Sequence, residues 1–179
     1  MIKMTKAAEL YLKDFHILSE AREELDLFLN HLVDQVYEIL DAERESLNGN
    51  EYDWKIWKNK AKPGTMELYL SPTSSNIEPL RKNQTDIFVT YYDIRHTARI
   101  KNPMSIEIDV RCTRRAKQLR TILNKESLDL FDSEATVYYY PSIHPAEIDK
   151  TVDKIATQML DCCQRINQIL ESLRRMKAL

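Results

Sequence analysis

The sequence predicts an α+β domain spanning residues 1–179: a mostly antiparallel sheet of four to five strands, packed with two long helices (N- and C-terminal) and one short helix. Three observations predict it. Apolar residues recur at helical spacing near both ends of the chain. Between them lie short runs that alternate apolar and polar residues. Turn-forming residues separate those runs. The element order is α-β-β-β-β-α-β-α.

Residues 5–47 contain no Pro or Gly and read as one long helix or two collinear ones. Leu18, Ala21, Leu25, Phe28, Leu32, Val36 and Ile39 form a stripe at helical spacing, and Asn48-Gly49 supply a stop. Runs 52–58 and 66–70 flank Lys62-Pro63-Gly64-Thr65 and predict a hairpin. A polar loop over 71–85 follows, longer than the usual connection. Residues 86–95 are rich in β-branched and aromatic side chains and predict a strand.

The run 104–112, MSIEIDVRC, alternates strictly and predicts a strand with one buried face. Thr113 is a candidate N-cap for the short helix, over 114–124. Residues 135–140 predict the last strand. Pro145 opens the final helix, where its missing N–H costs nothing. That helix carries Ile148, Val152, Ile155, Met159, Cys162, Ile166, Ile169, Leu173 and Met176, spaced alternately by four and three. This heptad seam packs either within the domain or against a second chain or helical partner.

Composition narrows the function. The chain has only two glycines, Gly49 and Gly64, too few for a phosphate-cradling loop, so nucleotide cofactors are not expected. Three cysteines, two of them adjacent, form neither a disulfide framework nor a zinc pattern and suit a reducing cytoplasm. No apolar run reaches membrane-spanning length, and the charged N-terminus lacks the apolar segment of a secretory signal. The net charge of −2 is unevenly spread. Residues 1–48 hold 5 basic and 11 acidic residues, whereas 95–120 hold 8 basic and 2 acidic. A basic segment of that kind suits an anionic ligand.

Three groups of residues could carry function. Arg111, Arg114, Arg115, Lys117 and Arg120 gather basic side chains about a helix start, a reasonable phosphate or nucleic-acid site. Trp54 and Trp57 interleave with Lys55, Lys58, Lys60 and Lys62, a pattern that suits stacking on single-stranded nucleic acid. Trp57 and Lys58 are the candidates there. The run equally fits a lysine-protected edge strand. Glu107 and Asp109, two apart on one strand face, could hold Mg²⁺ or Mn²⁺ with Asp93 or Asp86 as a third ligand.

The element order, with the acids Glu107 and Asp109 on a core strand, resembles the PD-(D/E)xK nuclease core over about residues 1–140. That resemblance implies metal-dependent cleavage of nucleic acid, with Lys117 or Arg114 neutralising the phosphate. The chain departs from the pattern at two points. Asp109 stands where the family has lysine, and no Pro-Asp dipeptide begins the preceding strand.

The sequence therefore favours a non-catalytic cytoplasmic binding protein with a basic surface for nucleic acid or another anionic ligand. It needs no cofactor and associates with a copy of itself or a helical partner. A metal-dependent nuclease or inactive relative is one alternative. A small chaperone or adaptor using its long helices is the other.

Overall fold

The computed structural model describes residues 5–49, 52–58, 60, 64–73, 87–93, 107–112, 136–139 and 147–177. Helix α1 spans Lys6–Lys13 and α2 spans Phe15–Glu43, followed by a 3-10 turn over Arg44–Leu47. Strands β1 (Tyr52–Lys58), β2 (Thr65–Pro72), β3 (Ile87–Tyr92), β4 (Glu107–Cys112) and β5 (Thr136–Tyr139) follow, then helix α3 (Ile148–Lys177). The strands lie side by side in chain order, and each pairing is antiparallel. The α+β class, the antiparallel sheet and the long helices agree with the sequence reading. The short helix expected over 114–124 lies outside the described residues.

Local chemistry explains the N-terminal helices. Thr5 caps α1, its hydroxyl accepting from the Ala8 N–H at 3.3 Å. Asp14 departs from helical geometry, with φ −108° and ψ 22°. Its N–H still donates to the Leu10 carbonyl, and its carbonyl still accepts from the Leu18 N–H, both at 3.0 Å. The helix is therefore nicked there but not broken. At 29 residues, α2 is about 44 Å long.

The stop after α2 works differently from a glycine C-cap. Asn48 turns extended at φ −67° and ψ 140°, and Gly49 has no positive φ. A Cβ on Gly49 would lie 2.5 Å from the Tyr52 ring, so glycine is needed there for close approach. Gly64 is the position that needs conformational freedom, with φ +85°. A Cβ there would also run into the Asp93 carboxyl group, and the Asp93 N–H donates to the Gly64 carbonyl at 3.0 Å.

One sheet face packs on both long helices. From the strands come Trp54, Met66, Leu68, Leu70, Ile87, Val89 and Tyr91. From α2 come Leu29, Leu32, Val33, Val36 and Leu40, and from α3 a run from Val152 to Leu170. Val152, Ile155, Met159, Cys162 and Ile166 of the heptad seam are buried within the chain, so that stretch is not an interface with a second one. Of the stripe expected on α2, Leu32 and Val36 are buried, Phe28 and Ile39 are partly buried, and Ala21 is exposed. Leu18 and Leu25 are exposed, because neither α3 nor the sheet covers the helix there.

Asn167 joins three elements. Its Oδ1 accepts from the Trp54 indole N–H at 2.8 Å, and its amide donates to the Leu47 carbonyl at 2.7 Å. The neighbouring Asn48 side chain accepts the Trp54 backbone N–H at 2.7 Å, and the Gly49 N–H donates to the Tyr52 carbonyl at 3.0 Å. These bonds cap the first half of β1, the strand at the sheet edge.

Two stability outcomes follow from this geometry. Asn167→Ala orphans the indole N–H and the Leu47 carbonyl and should lower the urea unfolding free energy by about 1–3 kcal/mol. An unchanged midpoint would contradict the role given to Asn167. Gly64→Ala should cost at least about 1 kcal/mol through the positive φ, whereas Gly64→Asn, which tolerates the left-handed region better, still meets Asp93 and should not recover wild-type stability.

Candidate functional site

The sequence-selected residues do not converge on one site among the described residues. Trp54 is fully buried and its indole serves Asn167, so it is not available for stacking. Trp57 is 48% exposed on the opposite face of β1, with Lys55 also exposed. Lys58 is engaged elsewhere: it pairs with Asp34 of α2 and lies 5.3 Å above the Tyr37 ring. Lys58 thus fastens β1 to α2. Arg114, Arg115, Lys117 and Arg120 lie outside the described residues, as do Lys62 and Asp86. Arg111 is placed by register, opposite Phe88 on β3 and Thr136 on β5.

The proposed metal ligands fall on two faces. Glu107 pairs with Tyr92 and Asp109 with Thr90. Strand alternation places those positions away from the face that carries Val89 and Tyr91. Asp93 is fully buried over Gly64, at the end of the core-facing row. The register therefore does not bring Asp93 to positions 107 and 109. Among the described residues, no group of three or more His, Cys, Asp or Glu residues could hold a metal ion.

A different surface emerges at the N-terminal end. No residue of α1 is buried, and α2 buries nothing before Leu29. Tyr11, Phe15, Leu18 and Leu25 nevertheless continue the spacing of Leu29, Leu32 and Val36 back along the helix. Arg22 occupies the position between Leu18 and Leu25. Tyr11 is 50% exposed, Phe15 45% and Leu18 43%. The Tyr11 and Phe15 rings meet edge to face with centroids 5.6 Å apart, so the stripe begins with a paired aromatic anchor. Leu10, Leu12, Ile17 and Leu27 are also exposed, on the other sides of the helices.

One seam thus has a buried half and an exposed half. The half beyond the core makes no contribution to it, yet it keeps large apolar side chains in water. The sequence reading began its α2 stripe at Leu18 and left open whether the seam of a long helix packs within the domain or against a partner. Extending the four–three spacing back to Tyr11 was the available signal. That α3 and the sheet stop short of Leu25 is a tertiary fact no local pattern carries.

Cys162 and Cys163 are buried in α3 and form no disulfide. Burial, with the neighbouring Cys162 adding to it, pushes the Cys163 thiol well above its ordinary value of 9.0. No helix among the described residues is long and apolar enough to cross a membrane. No protein-family model matches the chain, and searches of curated proteins and of solved structures found no similar protein.

The cysteine environment has a pH consequence. A thiol whose folded pKa is raised stabilises the native state below its unfolded pKa. That stability is lost as pH rises, because the unfolded chain releases its proton first. The unfolding free energy should therefore decline above about pH 8.5, and Cys163→Ala should flatten that decline while lowering stability at neutral pH. Equal alkaline slopes in the two proteins would contradict it. Neither Cys162 nor Cys163 should react with a thiol reagent until the protein unfolds.

Proposed function

We propose that this protein works by binding, and that it captures a helical protein partner on the exposed seam of α1 and the first half of α2. The observation that supports the reading most is the continuity of that seam: one helix face is core from Leu29 on and open from Tyr11 to Leu25. An amphipathic helix laid along it would bury apolar anchors at helical spacing, a recurrent mode of peptide recognition. Tyr11 and Phe15 are the side chains suited to act as hot spots. The α3 seam from Val152 to Ile166 is spent on the core, so α1 and α2 carry the interaction. The reading takes the chain as a single domain with the full order α-β-β-β-β-α-β-α, and places it in the cytoplasm, where buried thiols persist.

A second reading is favoured by one specific side chain. Trp57 is exposed on the edge strand with Lys55 on the same face, and Lys55 pairs with Tyr69 of β2. Aromatic and cationic side chains side by side suit single-stranded nucleic acid. In this reading the basic residues Arg111, Arg114, Arg115, Lys117 and Arg120 extend the anionic-ligand surface, and Lys58 acts as a structural lysine.

A neutral, heptad-patterned amphipathic peptide carrying a fluorophore tests the first reading. It should give saturable anisotropy with the wild-type protein. Leu18→Asp should weaken binding at least about tenfold while moving the unfolding free energy by less than about 0.5 kcal/mol. Absence of binding, or unfolding of Leu18→Asp, would overturn the reading. For the second reading, single-stranded oligonucleotide should quench Trp57 and leave buried Trp54 unquenched, and Trp57→Leu should abolish the response.

A further inference from the structure

We infer that two copies of this chain join edge to edge through the second half of β1, making one continuous sheet. The inference comes from which backbone groups the edge leaves open. β1 is the first strand of the sheet and pairs with β2 on one side only. The Trp54 N–H donates to the Asn48 side chain and the Tyr52 carbonyl accepts from the Gly49 N–H, so neither group points at β2. Strand alternation then turns the backbone groups of Tyr52, Trp54, Ile56 and Lys58 outward and those of Asp53, Lys55 and Trp57 toward β2. The far side of β2 agrees. The Gly64 carbonyl accepts from the Asp93 N–H, which assigns the even positions of β2 to β3 and leaves the odd ones for β1. Among the described residues, no hydrogen bond reaches the Trp54 carbonyl, the Ile56 N–H and carbonyl, or the Lys58 N–H.

Those groups are complementary to themselves. Two β1 strands set antiparallel about a two-fold axis at Ile56 exchange both N–H···O=C bonds of the Ile56 pair, and each Lys58 N–H meets the Trp54 carbonyl of the other copy. Every open donor finds an acceptor. The length fits as well. β1 stops at Lys58, which lies opposite Trp54, just before the half of the edge that Asn48 and Gly49 close. The side chains also match. Lys55 and Trp57 are both exposed on the outer face. They fall at the non-hydrogen-bonded positions, where cross-strand side chains come closest. Lys55 of each copy lies opposite Trp57 of the other, so each ammonium meets an indole. On the core face, Ile56, partly buried within one copy, meets Ile56 of the second. Lysine commonly guards an edge against such pairing. Here Lys58 is already turned onto Asp34 and Tyr37, and Lys55 has the indole to face. The pairing uses no residue of the α1–α2 seam and is independent of the helix-capture reading.

Sedimentation of the protein over a concentration series should show a reversible monomer–dimer equilibrium, weak as suits a short interface. Trp57→Lys sets lysine opposite lysine in both pairs and should weaken association at least about tenfold. Adding Lys55→Glu to it restores opposite charges across the same pairs and should recover most of that loss. Ile56→Pro removes an N–H that gives β2 no bond, so it should leave a monomer whose circular dichroism is that of the wild type. Should Ile56→Pro unfold, the Trp57→Lys and Lys55→Glu pair still decides the matter. A monomer at every concentration would overturn the inference. So would a dimer that Trp57→Lys leaves intact, or a loss that Lys55→Glu fails to rescue. A dimer dissociated by Leu18→Asp and indifferent to Trp57→Lys would assign self-association to the α1–α2 seam and overturn it too.

Discussion

The side chain of Asn167 holds the fold in register. It accepts a hydrogen bond from the Trp54 indole N–H at the sheet edge and donates one to the Leu47 carbonyl in the 3-10 turn after α2, while standing on α3 itself. Each of those groups is in or beside the core, where an unpaired donor or acceptor is costly. One amide thereby fixes three elements at a single point. With that point fixed, α2 and α3 meet the same sheet face, and Leu29 to Leu40 lie against Val152 to Leu170 and the strand side chains. Lys58, held between Asp34 and Tyr37, makes a second tie between β1 and α2 nearer the middle of the helix.

The same geometry explains why a surface is left over. α2 is about 44 Å long, far longer than the strands it crosses. Only its second half meets the sheet and α3. The first half, with α1 in front of it, extends past the covered region while keeping the apolar spacing that the covered half uses. Helix propagation from a packed segment holds the extension in shape. The result is a preformed helix face with an aromatic pair at its outer end, and a preformed face binds without the ordering cost of a disordered segment.

Some of this was legible in the residues. The alternation of Met104 to Cys112 and of 52–58 named strands, and the four–three spacing of α3 named a long amphipathic helix. Pro63-Gly64 named a hairpin, and the Gly64 geometry bears out its turn. Other features were illegible for physical reasons. Asn167 looks like a solvated polar residue, and Asn48 like part of a helix stop, until the partners that satisfy them are placed. Gly49 looks like a helix C-cap, yet what requires it is the ring of Tyr52 three residues on. Lys58 reads as a surface cation and is a tether. Asp93 reads as a companion to Glu107 and Asp109, but strand parity sends it to the other face. Which part of the α2 stripe is exposed was left open by the residues, because periodicity reports which helix face is apolar and is silent on what lies against it.

One continuous helical seam is core in its second half and exposed in its first. Native-state hydrogen exchange on the free protein measures this most directly, amide by amide along residues 6–43. The account predicts graded protection: amides from Leu29 to Leu40 exchange only through global unfolding, while those from Lys6 to Leu25 exchange by local fraying, faster by orders of magnitude. Equal protection along the whole stretch would mean that the first half is already covered in the free protein, and would contradict the account.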